Sequence, residues 1–504
     1  MAIFNSVITW IMKKRIHQIE LFMKYPHDVQ DEWFKKLIFA AKGTEYGKKY
    51  DFESIQNYQE YIKRVPINTY GSLKPYIDRL RLGEQNILWP SDVKWFAKSS
   101  GTTAGKSKYI PVSRHALEEC HYKGGKDLLS IYLNNHPDSL IFDGRSVAMG
   151  GSHNITEVNN EEYYDGDLSA ILIQNLPFWA QIMRTPNLEI ALMDEWESKI
   201  EKMAWSTMQH NVTILSGVPS WTMLLMQKVL EISGEEHLKT VWPNLEVFVH
   251  GGVKFDPYRK QFCDLIGPGG INYQESYNAS EGFFGIQDRS DSSEMLLMLD
   301  YGIFYEFIPM TDIEQENPST IQLGDVEKGV NYALLISTNA GLWRYKIGDT
   351  IKFTSINPYR FVITGRTKYF INLVGEELIL DNAEKALKIA CKKCNAVVNE
   401  YMAGPSFGEN GGPVGHEWMF EFVEPPNDSA VFADAFDNAL KSVNSDYEAK
   451  RYKDLLLQPP IIHSLPSGTF YAWLKKRGKL GGQHKVPRLI NQRDYIDEIL
   501  KMND

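Results

Sequence analysis

Cysteine is scarce in this chain, with four in 504 residues. So thin a set builds no disulfide framework. Cys120 and Cys263 stand alone, and Cys391 and Cys394 form CKKC with no second Cys/His pair nearby to complete a zinc site. That pair follows an Ala-Glu-Lys-Ala-Leu-Lys-Ile-Ala run and reads as the end of an amphipathic helix. Long apolar runs are also missing. The most apolar end, MAIFNSVITWIMKKRIH, is too short to span a bilayer, and its positive charges follow the apolar part, the wrong order for a secretory signal. A packed N-terminal helix, a cytoplasmic location and no membrane partner are therefore expected. Positive charge is in deficit too, 54 Lys+Arg against 64 Asp+Glu for a net charge of -10. That balance argues against nucleic acid as a partner, while a polyphosphate site need only be basic locally. There is no internal repeat and no low-complexity segment.

What is there is long enough for two or more cores. Up to about Tyr70 the apolar spacing is helical, as in Trp33, Leu37, Ile38 and Ala41. A further helical pattern runs from about Ala116 to Asn134. Ser146–Gly151, Thr213–Ser220, Leu245–Gly252 and Ile271–Tyr277 then read as strands, with helices between them near Trp221–Val229 and Tyr258–Leu265. Repeated strand–loop–helix units point to an α/β layer architecture, with ligands beyond the C-terminal ends of the strands. From about Met295 to Ile363 alternating aromatic-rich strands suggest an antiparallel sheet or partial barrel. The expected class is α/β: a large multi-layer N-terminal domain (1–366) with an antiparallel β-barrel-like part, and a smaller mobile α+β C-terminal domain (367–504). The hinge falls near Arg366–Lys368.

Between an apolar run, Val93–Ala97, and Tyr109–Val112 lies SSGTTAGKSKYIPVS, Ser99 to Ser113. Strand, loop, strand is the expected structure. Small residues, backbone N–H groups, hydroxyls and two lysines suit a phosphate chain. This is not a Walker A loop: Gly105-Lys106-Ser107 has Ser100 where that motif needs glycine, and no helix follows. A solvated Gly/Ser/Thr hairpin has the same composition, so its neighbours must decide.

Three later segments fall at predicted strand ends. Tyr277-Asn278-Ala279-Ser280-Glu281-Gly282 offers an aromatic face for a base, a hydroxyl for a phosphate oxygen and a carboxylate for Mg²⁺. In Trp343-Arg344-Tyr345-Lys346-Ile347-Gly348-Asp349 the aspartate can accept from two ribose hydroxyls. Gly481-Gly482-Gln483-His484-Lys485-Val486-Pro487-Arg488 presents a lysine on a glycine-softened segment. Singly, each has an ordinary reading as turn, loop or solvated tail.

In that order, with the Gly-Gly strand end and the Gly-Arg hinge between them, these motifs resemble the adenylate-forming superfamily of acyl-CoA synthetases, adenylation domains and luciferases. Within it SSGTTAGKSKYIPVS, YNASEGFFG, WRYKIGD and QHKVPRL are similar to the Gretchen Hagen (auxin-responsive promoter) acyl acid-amido synthetase family. The resemblance runs from roughly residue 30 to the end. It implies roles by position. Ser99, Ser100, Gly101, Thr102 and Thr103 hold the β- and γ-phosphates of ATP, with Lys106 and Lys108 beside them. Gly251 and Gly252 let backbone approach adenine, Tyr277 lies against it, and Asn278 belongs to the same nucleotide site. Ser280 bonds the α-phosphate and Glu281 holds Mg²⁺. Asp349 holds the ribose, with Arg366 near it. Lys368 and Gly375 fit the hinge motif. Lys485 bridges the acid's carboxylate and the α-phosphate, although Lys479–Gln483 before it departs from the small and amide residues common there.

The resemblance implies ATP-dependent adenylation of a small carboxylic acid, then transfer of the acyl group to an amino acid amine by a monomer. Such chemistry must mask charge on a carboxylate and a phosphate, which Mg²⁺ and lysine supply, and needs no nucleophilic serine or cysteine. The acid pocket is expected around His121, Tyr122, Val218, Ser220, Trp221 and Trp179, residue types that also serve ordinary packing. A thiol acceptor such as coenzyme A, or a nucleotide binder without chemistry, are the alternatives.

Overall fold

The computed structural model describes residues 2–99, 108–151, 153–158, 161–252, 255–313, 315, 317–367, 370–407, 414–477 and 486–503. They form two compact units: one from the described residues up to Thr367 apart from 256–260, the other from those after it together with 256–260.

The larger unit begins with the helices Ala2–Lys24 and Pro26–Ala41. Proline in the first turn suits the second, because the N–H it lacks there would be unpaired in any case. Phe34, Leu37, Ile38 and Ala41 make its buried face, and Gln30 reaches the sheet beneath, donating to Leu299 O and Ile303 O and accepting from Tyr305 N–H. The first helix is pinned by Arg15, whose guanidinium meets Asp127 at 2.9 Å and Asp300 at 2.7 Å.

Fifteen strands follow in this unit: β1 (Trp95–Ser99), β2 (Lys108–Val112), β3 (Arg145–Ala148), β4 (His153–Val158), β5 (Glu161–Gly166), β6 (Arg184–Thr185), β7 (Val212–Gly217), β8 (Val247–His250), β9 (Asn272–Ala279), β10 (Gly282–Ile286), β11 (Met295–Leu297), β12 (Ile303–Pro309), β13 (Asn331–Thr338), β14 (Tyr345–Ile356) and β15 (Tyr359–Arg366). A small sheet has the order β2-β1-β5-β4, with β1 antiparallel to β2 and parallel to β5. The main sheet has eleven strands in the order β12-β13-β14-β15-β11-β10-β9-β8-β7-β3-β6.

From β9 to β6 the main sheet is parallel, and the helices Pro219–Ser233 and Asp256–Ile266 make the crossovers from β7 to β8 and from β8 to β9. β7 and β8 in this half read as largely apolar runs, as buried parallel strands do. The other half is antiparallel. The barrel-like part expected at Met295–Ile363 is this antiparallel half: it joins the parallel one through β10, β11 and β15, with Met295 opposite Phe361, so a single mixed sheet results. Tyr46, Phe52, Trp89 and Trp343 pack edge and face over it, and Trp343 donates its indole N–H to Leu88 O at 3.1 Å.

The smaller unit is α+β. It holds the two-residue strands β16 (Phe370–Ile371) and β17 (Leu378–Ile379), and a sheet of β18 (Val397–Phe407), β19 (Val414–Glu424) and β20 (Ile461–Leu465), with β19 in the middle. Trp418, Phe420, Phe432 and Phe436 interlock beneath the helix Ser429–Val443. Met402, Met419, Trp473, Ile496 and Ile499 make a second cluster with the helices Thr469–Lys476 and Asp494–Asn503. CKKC closes the amphipathic helix Leu380–Cys394, and Asn395 after it takes a left-handed conformation. Gly375 is also left-handed, in a turn where the Leu373 and Val374 N–H groups bond the Glu376 carboxylate. Among the described residues no helix is long and apolar enough to cross a membrane.

Candidate active site

The parallel strands end along one edge of the main sheet, and three of them run into glycine there. Met149-Gly150-Gly151 follows β3, Gly217 ends β7, and Gly251-Gly252 follows β8. Two of these glycines are required by geometry. A side chain at Gly251 would collide with Ser276 O of β9, and Gly252 has φ +82°. Neighbouring ends touch: a Cβ on Gly252 would sit 3.6 Å from the Val218 side chain, and one on Gly217 3.7 Å from Met149 Cβ. Ser280 and Glu281 make the tight turn from β9 to β10, where Ala279 pairs with Gly282. Ser280 is half-buried and Glu281 buried.

Tyr277, expected against adenine, is buried with its ring against Phe284 and Phe361, and its hydroxyl donates to Asp349 Oδ2. Whatever else that face meets, the ring also fixes the carboxylate expected to hold a ribose. Asp349 lies within β14, directly opposite Arg366 on β15, after Gly348 at φ +106°. The fold thus gathers Tyr277, Asp349 and the backbone of Arg366, some ninety residues apart at most, on adjoining parts of one sheet.

The helical segment over β9 and β10 opens irregularly. Ala116–His121 is wound as a π-helix, a rare form that often marks functional sites, and the α-helix Tyr122–Asn135 continues it. The widened turn contains Cys120 and His121. Cys120 Sγ accepts the Phe283 N–H at 3.2 Å, and burial pushes the thiol up to about 12, so it is inert. His121 Nδ1 lies 2.9 Å from Asn278 Oδ1, while burial drops its pKa to about 4. The imidazole is therefore neutral at pH 7, and the Nδ1–H donates to the Asn278 carbonyl. Gly124 is needed beneath: a Cβ there would come 2.5 Å from the Phe283 ring. Tyr122 spends its hydroxyl on Leu172 O at 3.1 Å.

Ser99 ends β1 opposite Lys108 of β2, so both flanks of the expected phosphate loop are strands. Its β5 neighbour runs to Gly166 and then Asp167, whose carboxylate fills the space a side chain on Gly151 would need. The small sheet thereby meets the glycine-bearing edge of the large one. Ser100, Gly101, Thr102, Thr103, Lys106, Lys368 and Lys485 lie outside the described residues, as do the side chains of Trp179, Ser220 and Arg366.

Among the described residues no three His, Cys, Asp or Glu side chains cluster as a metal centre. A single carboxylate at Glu281 fits Mg²⁺ arriving with phosphates, since that ion takes one or two protein carboxylates and completes its shell from phosphate and water. Two features went unread in the sequence. One is the pair Arg344–Glu306, 2.9 Å apart and fully buried, which also ties Val65 O, Thr320 and Tyr58. The other is Lys199, whose signal was present: it shares the apolar face of its helix with Met203 and Thr207 at i+4 spacing.

Three family models match in order: the GH3 family N-terminal domain over residues 15–270, the central domain over 296–366 and the C-terminal domain over 381–494. Among characterised proteins the chain is 23% identical to the indole-3-acetic acid-amido synthetase GH3.3 of Arabidopsis thaliana, over 95% of this chain and 92% of that one. It is 22% identical to the 4-substituted benzoates-glutamate ligase GH3.12 of the same plant, over 92% of each. Two solved structures share its fold. The acyl acid amido synthetase AtGH3.15 in complex with 2,4-DB superposes with a TM-score of 0.62 at 17% identity, over 98% of this chain and 96% of that one. A 2-hydroxyisobutyryl-CoA ligase does so with a TM-score of 0.53 at 12% identity, over 94% and 91%. The N-terminal model alone spans half of the chain, and this protein belongs to the GH3 family, the one its motifs resemble.

Proposed function

We propose that this protein is an ATP-dependent acyl acid amido synthetase. The observation that carries the reading is the convergence of Tyr277, Asn278, Ser280, Glu281 and Asp349 beside the glycine-bearing ends of the parallel strands. Matched family members named as an amido synthetase and a glutamate ligase support it.

In the first step a carboxylate oxygen of the acid attacks the α-phosphorus of ATP, and the bond to pyrophosphate breaks. Mg²⁺, held by Glu281, would supply charge neutralisation at the phosphates. Ser280 donates to the α-phosphate, Asp349 accepts from the ribose hydroxyls, and Lys485 offsets the charge of the two approaching anions. Ser99 to Lys106 hold the outer phosphates, with Gly251 and Gly252 against adenine. Asn278, turned by His121, presents its amide at the same edge. In the second step the nitrogen of an amino acid attacks the acyl carbonyl. A C–N bond forms, the C–O bond to AMP breaks, and the amine loses a proton. Val218, Ser220, Tyr122 and Trp179 are the residues proposed to meet the acid. Four free cysteines suit action in a reducing cytoplasm, and a monomer is the proposed state.

ATP–pyrophosphate exchange with a panel that includes indole-3-acetate and 4-substituted benzoates tests the first step. AMP release on adding amino acids or coenzyme A tests the second. Exchange with no acid would overturn the reading, and AMP release with coenzyme A but no amine would make the protein a thiol ligase.

A further inference from the structure

Lys199 lies on the helix Trp196–Met208 with only 1% of its surface exposed. Its ammonium donates to two successive carbonyls, Gly150 O at 2.5 Å and Gly151 O at 3.1 Å. A buried ammonium is costly unless several oxygens meet it, so these contacts are not incidental. The same two residues are held from other sides. Gly151 N–H donates to Ser169 Oγ at 3.0 Å, Asp167 closes the space at Gly151, and Ile173 comes 2.7 Å from where a Cβ on Gly150 would sit. Burial lowers the Lys199 pKa to about 8, partly offset by Asp167 and Asp194.

The tethered residues occupy the ligand edge. Met149 N–H donates to Ser216 O at 3.3 Å, and Met149 packs beside Gly217. Gly217 leads into Val218, and Val218 lies against Gly252. From β3 to β8 the strand ends therefore form a continuous wall, of which Gly150-Gly151 is the outer end. A double-glycine segment has little conformational preference of its own. Its position comes from these contacts, and the lysine is the one that holds both carbonyls.

We propose that Lys199 is a positioning residue for the acid: by clamping the Gly150 and Gly151 carbonyls it sets the wall of the acid pocket, without touching nucleotide or reacting atoms. The inference rests on the amido synthetase reading for its kinetic arm and is independent of it for its structural arm.

Lys199→Met removes the donor and keeps the length; Lys199→Gln keeps a shorter donor and serves if the first variant folds poorly. For an acid that supports pyrophosphate exchange, Lys199→Met should raise the acid KM about tenfold with the ATP KM unchanged, and Lys199→Gln should fall between. Hydrogen exchange followed by mass spectrometry should show faster exchange in peptides covering 145–151, with β8 and β9 as in the parent. An acid KM within twofold of the parent, an equal rise in the ATP KM, or unchanged exchange at 145–151 would overturn the proposal. If the parent protein activates no acid, the amido synthetase reading fails, and the exchange experiment still decides whether Lys199 holds the segment.

Discussion

The two halves of the main sheet place their candidate residues in different ways. At the parallel half they lie beyond the strands: Gly150-Gly151, Val218, Gly251-Gly252 and the Ser280-Glu281 turn. At the antiparallel half Asp349 lies inside a ladder, fixed by strand register opposite Arg366 and by the Tyr277 hydroxyl. Residues beyond a strand have no ladder to hold them, so a side chain from a helix can do it, as Lys199 does for the Gly150-Gly151 loop. The antiparallel half is instead stiffened from within by Arg344–Glu306 and by the aromatic layer. Damage should therefore read out as lost activity at the parallel edge and as lost stability in the antiparallel half.

The largest expected effect lies in neither half and sets the scale. Lys485→Ala should slow adenylation by about 10³-fold or more with ATP affinity largely kept, measured as pyrophosphate exchange against nucleotide binding. Full activity in that variant would assign the role to another lysine. At the parallel edge Glu281→Gln should lower kcat about 10²- to 10³-fold with an unchanged melting temperature. A loss of folding instead would erase the contrast between the halves. In the antiparallel half Arg344→Met should destabilise the protein by about 3–5 kcal/mol, because it strands a buried Glu306 carboxylate. Denaturant unfolding measures this, and a cost under about 1 kcal/mol would mean that the pair does not hold this half together.

His121 gives a pH signature. The folded protein keeps it neutral down to about 4, while its ordinary value is 6.5. Its contribution is complete above pH 6.5 and disappears as pH falls toward 4, a difference of about 3 kcal/mol. Replacing it by glutamine should flatten the stability profile across that window; an unchanged slope would place its titration elsewhere. The smallest effect is expected for Tyr277→Phe, which removes one hydrogen bond to Asp349 and should raise the ATP KM up to about tenfold.

Much of this was legible in local patterns. The strands flanking Ser99 and Lys108, the helices before Tyr70 and the strand–helix alternation from β7 to β9 each follow from apolar spacing and glycine within a short window. The continuity of the sheet was not, because β11 pairs with β15 across some sixty residues and no local pattern encodes a partner. Nor was the tie of His121 to Asn278, 157 residues on, which depends on helix placement. Lys199 lay between the two cases: a lysine on an apolar face marks a buried charge but does not say which carbonyls receive it. WRYKIGD, read for its aspartate's contact with a ribose, also carries the arginine of a core ion pair, a second duty that the motif does not show.

Gly124 and Gly125 stand side by side in the helix Tyr122–Asn135, and a thermostabilisation campaign would treat them alike. Exchanging a helical glycine for alanine usually adds up to about 1 kcal/mol. At Gly125, exposed with open space around it, that gain is available. At Gly124 the new methyl would press on Phe283, the residue whose N–H is held by Cys120 and whose strand begins just after Glu281. A consensus-minded engineer would gain stability at one position and move the proposed nucleotide site at the next.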